Sequence, residues 1–524
     1  MPNDDIFQVE TTYGPVTGLV ADDGTARFLG IPYAAAPTGV NRFAAPAPPE
    51  VWHDPLPAHT FGPTAPRPTD SALDELLSGK DPVPGEGWLN LNVWTQARGP
   101  AVRRPVLVWI HGGAFVRGSS AGTAYDGAVF ARNGIVCVSI NYRLGVEGFG
   151  YIADAPAPAN RGLLDQIFAL EWVRDNIANF GGDPDRITVA GESAGAMSIL
   201  ALLSTGRRDL FHRAIVQSGS AHVAQTPEDA ALVVGAIAAD LRVEASFAGL
   251  STVSPARIVD AQTRVHDDIV ATADPAKYGD STIQTCGMSL VPVIDGALLH
   301  RRPIDTIARG AGADIPLLIG TNIEENRHFV PLASTEVPPA AWQQRLTDYG
   351  VPDSATMYER YQAGSAKPYP RDTSPDVFAA VMTDRLFRIP CHRIAEARAN
   401  APAASAATHV YEFGWRTPKT RGEGPPLGAC HIAEIPFVWQ SLDASGVDEL
   451  VVAPPRDLAD EMHRRWVEFI LTGALTEWPA YDTTHRPVMT FHRDNEPPNE
   501  IVLDPRGYER SLWDGSLDPE QAIP

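Results

Sequence analysis

A serine framed by two glycines, Gly191-Glu192-Ser193-Ala194-Gly195, follows the short apolar run Ile187–Ala190 and precedes Ala196-Met197-Ser198-Ile199-Leu200. A run that short and apolar reads as a buried strand, and the stretch after it continues as a buried helix. The chain therefore passes from strand to helix through a very sharp turn, and small flanking residues let the backbone fold that tightly. Such a turn lifts the serine hydroxyl above the end of a sheet. The spacing alone is weak, because Gly118-Ser119-Ser120-Ala121-Gly122 matches it too. Ser120 lies in a Gly/Ser-rich stretch with no helical pattern after it and is read as a loop residue.

The rest of the chain fits the architecture this turn demands. Val106–Ile110, Ile135–Ile140, Ile315–Ile319 and Val410–Phe413 are further short apolar runs, best read as buried strands. Leu163, Ile167, Leu170, Val173 and Ile177 recur at helical spacing between Gly162 and Asn179, and Gly181-Gly182 stops that helix. Alternating strands and helices imply an α/β fold with a large, mostly parallel central sheet covered by helices on both faces. The first hundred residues differ: Thr12 to Leu29 predicts an antiparallel N-terminal hairpin, followed by a Pro-rich coil. With no internal repeat or linker in view, residues 1–524 read as a single catalytic domain, with a helical and loop-rich cap at approximately 220–400.

Composition narrows the partners. The formal charge of −22 opposes a nucleic-acid partner, which needs a basic footprint, and disfavours an anionic membrane surface. No run of 18 apolar residues is present, and Met-Pro-Asn-Asp-Asp-Ile lacks the apolar core of a secretory signal. The cysteines Cys137, Cys286, Cys391 and Cys430 form no C-x-x-C pair, so neither a zinc knuckle nor a redox dithiol is expected.

Ester hydrolysis at neutral pH needs a nucleophile, a base, a group that orients the base and donors for the oxyanion. Ser193 is the candidate nucleophile. His111-Gly112-Gly113-Ala114-Phe115 directly follows a predicted strand, and its glycines let a substrate approach the backbone. The expected oxyanion donors are the amides of Gly113, Ala114 and Ala194.

The chain resembles the type-B carboxylesterases, the group that includes bacterial p-nitrobenzyl esterases and the cholinesterases. The resemblance rests on Phe28-Leu29-Gly30-Ile31-Pro32-Tyr33-Ala34, Arg42-Phe43, Leu91-Asn92-Val93-Trp94, His111 to Phe115 and Asn141-Tyr142-Arg143. It continues through Gly162-Leu163-Leu164-Asp165-Gln166, Phe180-Gly181-Gly182-Asp183-Pro184 and Ala433-Glu434-Ile435-Pro436-Phe437. It implies the α/β-hydrolase fold and a Ser–Glu–His triad in that chain order. The family's acid lies in a Gly-x-x-x-Asp-Glu-Gly segment, which here reads Gly320-Thr321-Asn322-Ile323-Glu324-Glu325-Asn326. Glu325 matches the acid, while Glu324 stands for Asp and Asn326 for Gly, so two adjacent glutamates compete for the histidine. The base matches His431, and Glu192, Ser218 and Glu434 match a polar cluster expected to support the triad from behind through buried hydrogen bonds.

The implied activity is that of a serine carboxylesterase acting on small-molecule esters through an acyl-enzyme, with no cofactor or metal and an acid limb around pH 6–7. A carbamate, amide or thioester hydrolase is the alternative, and a non-catalytic binding protein a remote one. The family's early cysteine is replaced by Trp88, so its first disulfide loop cannot close, which fits a reducing cytoplasm. Residues 66–87 contain no tryptophan, which argues against choline specificity. Leu73, Leu76 and Leu77 within Ser71–Lys80 predict a short helix at the rim of an enclosed apolar pocket, which Phe115 is expected to line. A patch that small favours dissolved short-chain and aryl esters over emulsions. A monomer or weak homodimer is expected.

Overall fold

The computed structural model describes residues 5–69, 74–79, 81–333, 337–363, 369–401, 406–491 and 499–520. Its strands are β1 (Asp5–Thr11), β2 (Gly14–Val20), β3 (Ala26–Pro32), β4 (Leu56–Pro57), β5 (Asn90–Thr95), β6 (Arg104–Ile110), β7 (Val136–Ile140) and β8 (Gly182–Glu192). They continue with β9 (Arg213–Gln217), β10 (Leu317–Asn322), β11 (Thr408–Phe413), β12 (Thr417–Thr420), β13 (Pro426–Gly428), β14 (Pro487–Phe491) and β15 (Glu500–Leu503). All but β12 and β13 form one thirteen-stranded sheet, ordered β1-β2-β3-β5-β7-β6-β8-β9-β10-β11-β14-β15, with β4 beside β2. The block from β7 to β14 is parallel, and antiparallel strands finish both edges. This is the α/β-hydrolase arrangement.

The central strands read as unbroken apolar runs because both faces are buried. Val106, Val108 and Ile110 of β6 enter one core cluster, and the alternating Leu107 and Trp109 enter the other. Fully burying each such side chain is worth about 1.5–3 kcal/mol, so strands like these anchor the sheet. The expected helix is Arg161–Asn176, extended by the 3-10 turn Ile177–Phe180 and ended at Gly181 with φ +82°.

Three regions add detail to these expectations. The N-terminal hairpin is a three-stranded meander, because β1 adds a seven-residue antiparallel pairing to β2. Its alternation is weak at the sequence level, since Ile6 faces solvent while Val9 is buried. Helices predominate in the interval 220–400, and β10, at the expected run Ile315–Ile319, pairs between β9 and β11 in the middle of the sheet. Of the rim segment, Ser71, Ala72, Leu73 and Lys80 lie outside the described residues. Asp74–Ser78 is helical, and its Leu76 is fully buried. Ser119 Oγ donates to Ser78 O at 2.6 Å, docking this helix on the Gly118–Gly122 loop.

Cys137, Cys286, Cys391 and Cys430 are free thiols; all but the partly buried Cys286 are inaccessible. Trp88, where the family's early cysteine would stand, is buried and donates from Nε1 to Gly85 O at 2.8 Å. Among the described residues no helix is long and apolar enough to cross a membrane.

Candidate active site

Ser193 sits between the end of β8 and the helix Ala194–Ser204, with φ 54° and ψ −123°. A non-glycine residue there carries strain of about 1–3 kcal/mol, which the surroundings must hold. They do so through the bond from Ser193 N to Gln217 O at 2.9 Å and by packing without side chains. A Cβ on Gly195 would lie 2.0 Å from Ile110 O, and one on Gly191 would lie 2.8 Å from both Ile110 O and Gly195 C. The two framing glycines are therefore dictated by contact with β6.

The Gly-rich loop lies directly against this elbow. A Cβ on Gly112 would be 2.7 Å from Glu192 Oε2 and 3.1 Å from Ser193 Cβ. Gly113, Ala114 and Phe115 all take positive φ, at 112°, 51° and 63°. Gly113 O accepts from Val116 N and Arg117 N, closing the turn. Tyr142 Oη donates to His111 O at 2.7 Å and its ring stacks on the His111 imidazole at 4.5 Å. Burial pushes His111 down to about 4, so it stays neutral and holds the loop. Phe115, expected at a pocket wall, is fully buried and packs on Phe149 at 4.7 Å. Ser120 is a loop residue, as expected, but a buried one, whose N donates to Asn141 Oδ1 and whose Oγ accepts from Asn92 Nδ2.

Glu325 opens the 3-10 turn after β10, and His431 follows β13. His431 Nδ1 lies 2.6 Å from Glu325 Oε2, and Glu325 Oε1 accepts from Ser218 Oγ at 2.6 Å and Asn322 N at 2.8 Å. The competition between the glutamates is resolved by direction. Glu324 Oε2 instead accepts from Ala429 N at 2.9 Å and Arg416 Nε at 2.7 Å.

The supporting cluster is not wholly behind these groups. Ser218 bonds Glu325 itself, and Glu192 Oε1 reaches to 3.0 Å from His431 Nε2, passing where Gly112 has no side chain. Only Glu434 is set back, accepting from Gln217 Nε2 at 3.1 Å and Asn322 Nδ2 at 2.7 Å. His431 Nε2 therefore has a carboxylate oxygen beside it, although the pair does not meet in hydrogen-bonding geometry. Burial pushes Glu192 well above the usual carboxyl range and Glu434 up to about 7. Burial opposes the imidazolium of His431, yet the charges of Glu192 and Glu325 outweigh it and push His431 up to about 9.

Sequence reasoning missed two aromatic walls of the imidazole. Phe387, on the π-helical turn Asp384–Arg388, has its ring 4.9 Å from that of His431, and Phe329, 54% exposed, lies at 5.1 Å. Phe329 stands four residues after Glu325 and was within reach of the motif; nothing local marks Phe387. Gln217 and Asn322 were also missed, although each ends a strand beside a matched residue. Among the described residues no group of three or more His, Cys, Asp or Glu side chains is arranged to hold a metal ion.

Known proteins are similar to this chain over almost its whole length. A para-nitrobenzyl esterase of Bacillus subtilis is 36% identical over 513 residues, covering 94% of this chain and 97% of its own. A phenmedipham hydrolase of Pseudarthrobacter oxydans is 34% identical, covering 90% and 92%. A carboxylesterase of Geobacillus stearothermophilus superposes with a TM-score of 0.79 at 33% identity, over 97% of this chain and 99% of that one. The model of the carboxylesterase family matches residues 5–505, and on that span the protein belongs to the carboxylesterase family.

Proposed function

We propose that Ser193 is the nucleophile of a carboxylic ester hydrolase, with His431 as base and Glu325 orienting it. The observation that carries this reading is the 2.6 Å contact between His431 Nδ1 and Glu325 Oε2, with His431 Nε2 3.0 Å from Glu192, the residue before Ser193. Ser193 Oγ attacks the ester carbonyl and passes its proton to His431 Nε2. The amides of Gly113, Ala114 and Ala194 receive the oxyanion, their loop and elbow already bent by positive φ. His431 then protonates the leaving alcohol, and water releases the acyl group by the same steps in reverse roles.

His431 is pushed up to about 9 by the carboxylates around it, and it has to lose that proton before Nε2 can act as base. The rate should therefore rise with pH on an acid limb above the ordinary imidazole value of about 6.5. This moves the limb upward from the range expected from sequence. Dissolved short-chain and aryl esters are the substrates this reading favours, supported by the docked helix Asp74–Ser78 and by a relative named for para-nitrobenzyl esters. We read residues 1–524 as one catalytic unit working as a monomer or weak homodimer in a reducing cytoplasm, in keeping with four free thiols.

The test compares wild-type rates on matched aryl ester, carbamate and anilide, with and without exhaustive chelation, alongside fluorophosphonate labelling mapped to a residue. Fastest turnover of the ester, indifference to the chelator and a label on Ser193 are expected. A label elsewhere sinks the nucleophile assignment, and a faster carbamate or anilide reaction makes this a different hydrolase on the same machinery.

A further inference from the structure

We propose that Glu324 is a positioning residue: its buried carboxylate staples the segment carrying His431 to the turn carrying Glu325. The proposal rests on the Ser193–His431–Glu325 reading above.

Two loops, far apart in sequence, must stay in register for the 2.6 Å contact between Nδ1 and Oε2 to persist. Backbone links supply part of the register: Glu324 N donates to Ala429 O at 3.0 Å and His431 N to Glu325 O at 3.2 Å. Asn322 Nδ2 adds a bond to Cys430 O at 2.7 Å. The ionic link is the one from Ala429 N to Glu324 Oε2 at 2.9 Å, two residues before His431. Bonds to a charged acceptor are roughly twice as strong as neutral ones, so this is the strongest single link in the lacing.

The site is built around that carboxylate. Glu324 is 2% exposed, and Arg416 Nε at 2.7 Å and Arg327 Nε at 3.8 Å flank it. Arg327 also donates from Nη2 to Pro426 O at 2.6 Å, so the same cation grips the start of β13. Gly428, with φ +69°, makes room: a Cβ there would stand 2.3 Å from Glu324 Oε2. The motif this chain resembles has Asp at this place, so the extra methylene that carries the carboxylate to Ala429 N is a feature of this sequence. On the far side a cavity of about 690 Å³ is lined by Glu324, Arg327, Arg416 and Gly428, so truncating Glu324 would also admit water behind the acid–base pair.

The variants are Glu324→Ala and the isosteric Glu324→Gln, compared with wild type on one soluble aryl ester. The measurements are kcat, KM, the melting temperature and the downfield proton resonance of His431 Nδ1. Glu324→Ala should lower kcat roughly 30–100-fold with KM within about three-fold, and move the downfield proton upfield, since small misplacements of reacting groups are costly. Glu324→Gln keeps an oxygen for Ala429 N but removes the charge that Arg416 and Arg327 flank, and should lower kcat about 3–10-fold with the same KM. Should Glu324→Ala fail to fold, Glu324→Gln carries the test. A folded variant with kcat within two-fold of wild type and an unmoved proton overturns the staple. A KM rise matching the kcat loss overturns it too, because that points to the pocket rather than the base. Inactive wild type, or a fluorophosphonate label away from Ser193, overturns the triad reading instead and is scored separately.

Discussion

The two halves of the site are built from different materials. The nucleophile half is made of backbone: Gly112, Gly191 and Gly195 have no room for a Cβ, and Ala114, Phe115 and Ser193 take positive φ. The acid–base half is made of side chains: Glu325, Ser218, Asn322, Glu434 and Gln217 form a network whose members come from the ends of β9 and β10, the turns after them and the segment after β13. A backbone site is specified by what is left out, and it tolerates almost nothing added. A side-chain site is specified by charge and reach, so it can exchange Asp for Glu324 or Gly for Asn326 and still close.

If that contrast is right, single changes should split by half. Ser193→Ala should lower kcat by about 10⁴–10⁶-fold with the fold intact, because the triad acts as a unit; a residual rate far above that range means another nucleophile. Gly195→Ala drives a Cβ to within 2.0 Å of Ile110 O, so the elbow has to shift. A loss of about 10²-fold or more, with a lower melting temperature, is expected from displacing Ser193. Retention of full activity would show that the elbow yields, and the contrast would fail. Glu192→Gln, in the gap left by Gly112, removes a charge that raises His431. A kcat loss of roughly ten-fold should come with an acid limb moved downward; an unmoved limb assigns the raised imidazole to Glu325 alone.

Smaller effects sharpen the boundary. A histidine pushed up to about 9 in the folded state stabilises fully below about pH 6.5 and loses that contribution as pH rises through about 9. The raised carboxyls of Glu192 and Glu434 act in the same direction. Melting temperature should therefore fall from pH 6 to pH 9.5 while activity rises, and His431→Gln should flatten the fall. Ser120→Ala deletes one acceptor of Asn92 Nδ2 and should cost about 1 kcal/mol of stability, with kcat nearly unchanged. A large kcat loss there would extend the backbone half to the Gly118–Gly122 loop.

The same contrast explains what the sequence disclosed. The elbow and the Gly-rich loop were legible because a turn that excludes side chains leaves glycines at fixed spacing beside apolar runs. Glu325 and His431 lie 106 residues apart and were found through resemblance to known motifs rather than periodicity. Glu192 was legible as a residue but not as a partner of Nε2, since its path depends on the missing Cβ of Gly112. Phe387 was illegible: it reaches the imidazole because a π-helical turn rotates it there, and no local pattern announces that turn. The strand β1 was hidden by an alternation broken at its exposed end.

The arrangement of the free thiols has a practical side. Cys137, Cys391 and Cys430 are sealed in the core, whereas Cys286 is partly open, its Sγ resting on Gln284 O. A native preparation should thus take up at most one equivalent of a thiol-directed dye or linker, and slowly, because burial pushes the Cys286 thiol up. That gives an attachment point for a fluorophore, a bead or an electrode without first removing cysteines, and it sits in the helical interval rather than on either catalytic loop.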